Sequence, residues 1–505
     1  MTLNITHLRA QAKALKRALA NGDADALERC GAVLGDKSPV RYADILHVIA
    51  REAGHPSWPK LKLALETDAM TAAERAERLG QALYNGWTWQ VERLLGRDPT
   101  LPTQNLGLRV ATYDRKGVED ALATPGSATR NVGKHPPFIH LAFSHYIHMA
   151  PEREADMLAI ADMLLAKGVD INAGVPPEPG SDHVLSPLYG AIGHAGNLRL
   201  AQWMLENGAD PNDNESLYHA TELGHSGGLR LLLEHGANVA DTNALARAMD
   251  FDNLDMVTLL LEQGADPDEA VAPHPSGQPL MGTPGLHHAA RRWCSAPIAE
   301  ALLAHGADPM RVWNGMTPYA IARIFGSVEV ASVLRSHGHE TPLSETEALL
   351  ADCATGRMPR RRLDPKMLNQ ETALLATRVA ACPERLDHLR ALVLAGLDPD
   401  NPEEMGVSPL QVAGWEGLPK QVEYLLTLAP DLNHVNDFGG DTLATVIHGA
   451  SFSPERHTRD HLACAQLLLN AGAVLRRSHI RGAGTEDMTN LLETWAEDHP
   501  DAAIT

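Results

Sequence analysis

Four times in the middle of the chain, a leucine-rich stretch ends in Gly-Ala-Asp or Gly-Ala-Asn. The copies are WMLENGADPND, LLLEHGANVAD, LLLEQGADPDE and LLAHGADPMR, with glycines at Gly208, Gly236, Gly264 and Gly306. A worn fifth copy, LRSHGHE, carries Gly338. The first three glycines are 28 residues apart, and the later gaps are 42 and 32 residues. A period near thirty predicts stacked units that share their cores with their neighbours.

One unit can be read physically. In LRLLLEHGAN the leucines fall at helical spacing, and the helix stops at Gly236, because glycine adopts the left-handed conformation cheaply. Upstream lies a second short helix that opens on Ser or Thr followed by Pro: Ser186-Pro187, Thr317-Pro318 and Ser408-Pro409. The hydroxyl caps the helix, and Pro is tolerated in its first turn. Alanines one turn on let the two helices approach closely.

These two halves together resemble the ankyrin repeat, whose pattern is Thr-Pro-Leu-His-x-Ala and then Leu-Leu-x-x-Gly-Ala-Asp. Both halves occur at Ser186–Asp210 and Ser408–Leu426; Asn243-Ala-Leu-Ala and Asp441-Thr-Leu-Ala are degenerate openings. The segments Glu215-Ser-Leu-Tyr-His219, Asp250-Phe251 and Leu286-His-His-Ala-Ala-Arg-Arg292 resemble one bacterial ankyrin group. The resemblance implies an all-α, ankyrin-type helical repeat solenoid with short hairpin-like connecting loops, of about ten to twelve helix pairs.

Composition agrees with thin layers of small helices: 44% of residues are hydrophobic but only 4% aromatic. The net charge of −21 disfavours nucleic acid or an anionic membrane as partner, and favours a partner with basic segments. The short run Arg360-Arg361-Arg362 reads as solvated surface. Five scattered cysteines have neither zinc spacing nor a disulfide pattern, so reduced thiols in a cytoplasmic protein are expected. The first residues lack the apolar core of a signal peptide, and no stretch approaches the ~20 apolar residues that span a bilayer.

Along the chain, residues 1–70 read as an N-terminal helical cap with Leu8, Ala12, Leu15 and Leu19 on one helix face. A first repeat array follows at 71–339, with its first units degenerate. An irregular junction spans 340–366, a second array 367–478, and a C-terminal helix and tail 479–505. Two connections, 173–186 and 269–282, are long and rich in Gly and Pro, and long loops on a rigid scaffold often carry function.

No phosphate-cradling glycine loop, nucleophile elbow or His-Glu-x-x-His motif occurs, so neither cofactor nor metal is expected. The resemblance instead points to the ends of the first helices, which face the groove. Reading each unit in register gives His145, His194, Glu222, Asp250, the run Arg291-Arg292-Trp293, and Phe325 in the first array, then Trp415 and His448 in the second. The leading expectation is a non-enzymatic module that binds a protein or peptide there. The other is an enzyme whose pocket draws acid–base or metal-ligand groups from His145, His194, Glu222 and Asp250. Packed helices lie ~8–10 Å apart, too far for single side chains to converge unless they are long.

Overall fold

In the computed structural model, capped starts and glycine stops build each unit. Ser186 Oγ accepts from Tyr189 N–H at 2.9 Å, and Thr317 Oγ1 from Ala320 N–H at 3.3 Å. Ser408 and Gln411 cap each other reciprocally. At the other end Gly208, Gly236, Gly264 and Gly306 take φ of 95°, 87°, 91° and 94°, a region that would strain any other residue. That turn lets the following alanine N–H reach back into the helix: Ala209 donates to Met204 O, Ala237 to Leu232 O, Ala265 to Leu260 O. Ala209 and Ala265 are thereby buried, so the Gly-Ala pair both stops the helix and seals its end.

The structure describes residues 5–499 apart from Pro39, Arg41, Glu178, Pro179, Asp182, 271–281 and Glu404, and also Ala503–Ile504. The chain divides into two compact units. One comprises Ala72–Glu371 with Leu394–Gly396. Its first helices form one row: Ala72–Tyr84, Leu106–Ala111, Pro137–Ala142, Pro187–Tyr189 with the turn Gly190–His194, Ser216–Ala220, Ala244–Asp250, Gly285–Arg291, Pro318–Phe325 and Glu345–Ala354. Each packs on the next. The second helices form the other row, including Glu154–Ala166, Leu198–Glu206, Gly227–Glu234, Leu254–Glu262 and Ala296–Ala304. Among the described residues, antiparallel pairing in the connections is limited to single bridges at Val132–His135, Val175–Leu185 and Trp313–Met316. This unit is an all-α repeat solenoid. The junction contributes a helix, Glu345–Ala354, with a capping box on Ser344 and Glu347. The connection 269–282 lies almost wholly outside the described residues.

The other unit comprises residues 1–71, 372–393 and 397–505. It holds the helix pairs Pro409–Trp415 with Pro419–Leu426, and Thr442–Phe452 with His461–Asn470. It also holds the four N-terminal helices, Ile5–Ala20, Ala24–Leu34, Tyr42–Glu52 and Trp58–Ala69. Leu8, Ala12, Leu15, Ile45, Ile49, Trp58 and Leu61 form their core, while Leu19 packs at its edge. The C-terminal helix Glu486–Asp498 packs on Tyr42–Glu52 and Trp58–Ala69. Lys16 pairs with Asp498 at 3.2 Å, and Lys62 pairs with the buried Glu493. The two ends of the sequence thus share one unit, a pairing that local periodicity does not encode. The five cysteines are free thiols, with Cys382 half-buried and the rest buried. No helix among the described residues is long and apolar enough to cross a membrane.

Close packing of the first helices predicts opposite effects for two Gly→Ala changes in this unit. A Cβ at Gly449 would sit 2.4 Å from the Trp415 carbonyl oxygen, so Gly449→Ala should push neighbouring backbones apart and cost about 1–3 kcal/mol. Gly31, inside Ala24–Leu34, has open space around it, and Gly31→Ala should stabilise by about 0.5–1 kcal/mol. Denaturant unfolding of both variants checks the pair.

Candidate functional site

The first helices of the larger unit are short, and several end on a polar side chain. Glu222 lies in the 3-10 turn Thr221–Leu223 that follows Ser216–Ala220, Asp250 ends Ala244–Asp250, and Arg292 follows Gly285–Arg291. One helical turn earlier stand His219, Arg247 and His288, on the same face as their downstream partners. Long side chains from this second set bridge the gap between repeats. Arg247 donates from Nε (2.9 Å) and Nη2 (2.7 Å) to Glu222 Oε1 in the preceding repeat, and from Nη1 to Asp250 Oδ2 at 3.0 Å. From the next repeat, His288 Nε2 reaches Asp250 Oδ1 at 2.9 Å and Arg292 Nε reaches the same oxygen at 2.8 Å.

The row continues upstream. His219 Nδ1 lies 2.8 Å from Glu222 Oε2, and its Nε2 lies 3.1 Å from Glu215 Oε2. His183, in the connection 173–186, places Nε2 2.8 Å from Glu215 Oε1. Arg247 also lies over two rings, 4.7 Å from Phe251 and 5.5 Å from Tyr218, which adds cation–π attraction. A row of neighbouring acidic and basic side chains therefore runs from His183 to Arg292.

Burial opposes charge along this row, and at His219, Glu222 and Asp250 the partners overcome it. Burial alone would lower His219, but hydrogen bonds to Glu215 and Glu222 push it up to about 9, so both ring nitrogens donate at neutral pH. Burial would raise Glu222, yet His219 and Arg247 hold it below the usual carboxylate range. Asp250 is likewise held well below that range, against burial, by Arg292, His288 and Arg247. Burial lowers His288 despite Asp250, so it stays a neutral ring donating from Nε2.

A second cluster, aromatic and uncharged, occupies the earlier repeats. Tyr84 and Phe143 stack with centroids 5.5 Å apart and planes within 5°. His194 lies 4.4 Å from Tyr84 and 5.0 Å from His145 by ring centroids, and its Nε2–H donates to Tyr84 O at 2.7 Å. Burial, with His194 and His148 nearby, pushes His145 down to about 3; burial also lowers His194. The helix under this cluster widens into a π turn at Gly190–His194. Its glycines leave room for the neighbours, since a Cβ on Gly190 would lie 2.5 Å from the Phe143 ring, and one on Gly193 would lie 2.6 Å from His219 Cβ. Tyr189 links the clusters, 6.0 Å from Phe143 and 4.9 Å from His219.

Of the residues singled out from sequence, Glu222, Asp250 and Arg292 come together in the charged row, and His145 with His194 in the aromatic cluster. The other five stand elsewhere. Arg291 cannot share a face with Arg292, because one residue turns a helix by about 100°. It lies instead over Trp313 and donates to Thr283 Oγ1 at 2.7 Å. Trp293 takes φ of 54° and donates from Nε1 to Phe325 O at 2.6 Å. Phe325 is fully buried, its ring 5.8 Å from that of Trp293 and its helix packed on Glu345–Ala354, so it offers nothing to a ligand. Trp415 and His448 belong to the other unit, with rings 5.3 Å apart. Sequence reading missed His219, Arg247 and His288 as partners in the row; their three- or four-residue offset from Glu222, Asp250 and Arg292 was the available signal.

Arg247 is the side chain whose loss should be felt most. Arg247→Gln leaves part-buried carboxylates short of donors and should cost about 2–3 kcal/mol of stability. Arg230→Gln, which breaks an exposed pair with Asp255, should cost under about 1 kcal/mol. Chemical unfolding of the two variants side by side measures the contrast.

Residues 188–270 match the model of the ankyrin repeats in three copies. No curated protein matches the chain. Among solved structures, the human ASB11 ankyrin repeat domain aligns over 48% of this chain and 100% of that chain, at 21% identity and a TM-score of 0.35. The stretch 188–270, which carries His219, Glu222, Arg247 and Asp250, consists of ankyrin repeats.

Proposed function

We propose that the larger unit is a non-enzymatic interaction module that binds a protein or peptide along the row from Tyr84 to Arg292. Ankyrin repeats are in general protein-interaction modules. The observation that carries the reading is the fixed charge of the row. An acid–base catalyst needs a group that exchanges its proton near the working pH. Here His219 is pushed up to about 9 while Glu222 and Asp250 are held below their usual range, so all three keep their charge state around neutrality. Fixed charges beside exposed and half-buried aromatics suit recognition. Free thiols at all five cysteines support a reducing, cytoplasmic setting.

A photo-crosslinking amino acid at exposed His225, three residues beyond Glu222, should capture one partner from native lysate. The same group at exposed Glu206, at the end of a second-row helix, should not. Equal capture at both positions would remove the row's claim.

A further inference from the structure

We infer that the partner presents a carboxylate to Arg292, and that this row selects acidic rather than basic ligands. The inference rests on the interaction reading above and names the chemistry of the ligand. The acidic groups of the row are already engaged. Glu222 faces three donors, two from Arg247 and one from His219. Asp250 also faces three, from His288, Arg292 and Arg247, and its side chain is 8% exposed. Glu215 is buried between His183 and His219. A basic ligand would have to displace one of these internal donors.

Among the cations, Arg247 is used on all three nitrogens and His219 on both. Arg292 differs. It commits only Nε to Asp250, and its side chain is 41% exposed. Its two terminal amino groups have no hydrogen-bond partner among the described residues, which leaves a planar, two-pronged donor edge facing outward. That edge matches a carboxylate, which a lysine in the same place would bind less well. Asp250 fixes the guanidinium, so little side-chain freedom is lost on binding. The net charge of −21 opposes an acidic ligand only weakly at physiological salt, where charges are screened beyond ~8 Å. A side-chain carboxylate and a peptide C-terminus offer the same chemistry.

The test uses the full chain and two pools of short random peptides, one with free C-termini and one amidated, at ~0.15 M salt. Bound peptides are identified by mass spectrometry. The expected result is recurrent Asp or Glu in both pools if a side chain supplies the carboxylate. Selection from the free pool alone would assign it to the terminus. Arg292→Ala should weaken the selected peptides at least about tenfold, a typical anchor effect, and Arg292→Lys should restore part of the loss. Asp250 keeps Arg247 and His288 in these variants, so they should stay folded with a modest loss of melting temperature, and that measurement checks it. Peptides that lack acidic groups, or whose affinity ignores Arg292, would overturn the carboxylate claim while leaving recognition by the row intact. No peptide retained from either pool would overturn both.

Discussion

Repeat spacing governs what a stacked fold of this kind can do with its polar side chains. Equivalent positions in successive repeats stand ~8–10 Å apart, beyond the reach of two carboxylates or two short side chains. The gap closes only when a long donor in one repeat reaches an acceptor in the one before. Arg247 does this to Glu222, and Arg292 and His288 do it to Asp250. Each bridge crosses a repeat boundary, so the row ties neighbouring units together at the same edge where it presents its charges. Stability and the proposed recognition therefore share this edge, and Arg247, the most engaged of its side chains, serves mainly to hold the others.

The repeat architecture was legible because its signals are local. Leucine spacing, a glycine that takes positive φ, and a capped Pro-start each act within a few residues, and each recurs. The ends of the first helices were legible too, in Glu222, Asp250 and Arg292. What escaped was the partnership. His219 comes to notice only when Glu215 and Glu222 flank it, and Arg247 only when Asp250 and Glu222 close on it. Phe325 was misplaced because its burial depends on Trp293 and on a helix beyond the clear repeats. The gathering of the N-terminal helices with Glu486–Asp498 depends on contacts more than four hundred residues apart in sequence, which no window of periodicity reaches.

The two clusters of the row differ in chemistry. Around Tyr84, Tyr189 and His194, over the buried Phe143, the row is aromatic, with His145 and His194 neutral. From His219 onward it is ionic, with each charge pinned by its neighbours. A peptide lying along both would meet apolar contact first and directional hydrogen bonding at Arg292. Two glycines in a π turn, Gly190 and Gly193, let the clusters approach each other, so the seam between them is set by backbone shape.

The account stands on the charge state of His219. Nitrogen-15 spectra of the histidine rings, followed through a pH titration of the full chain, report it directly. Both nitrogens of His219 should remain protonated through neutrality, with a midpoint near 9. A midpoint near the ordinary 6.5 would mean that the ring is not clamped between Glu215 and Glu222. The fixed-charge row, with the recognition role argued from it, would then be wrong.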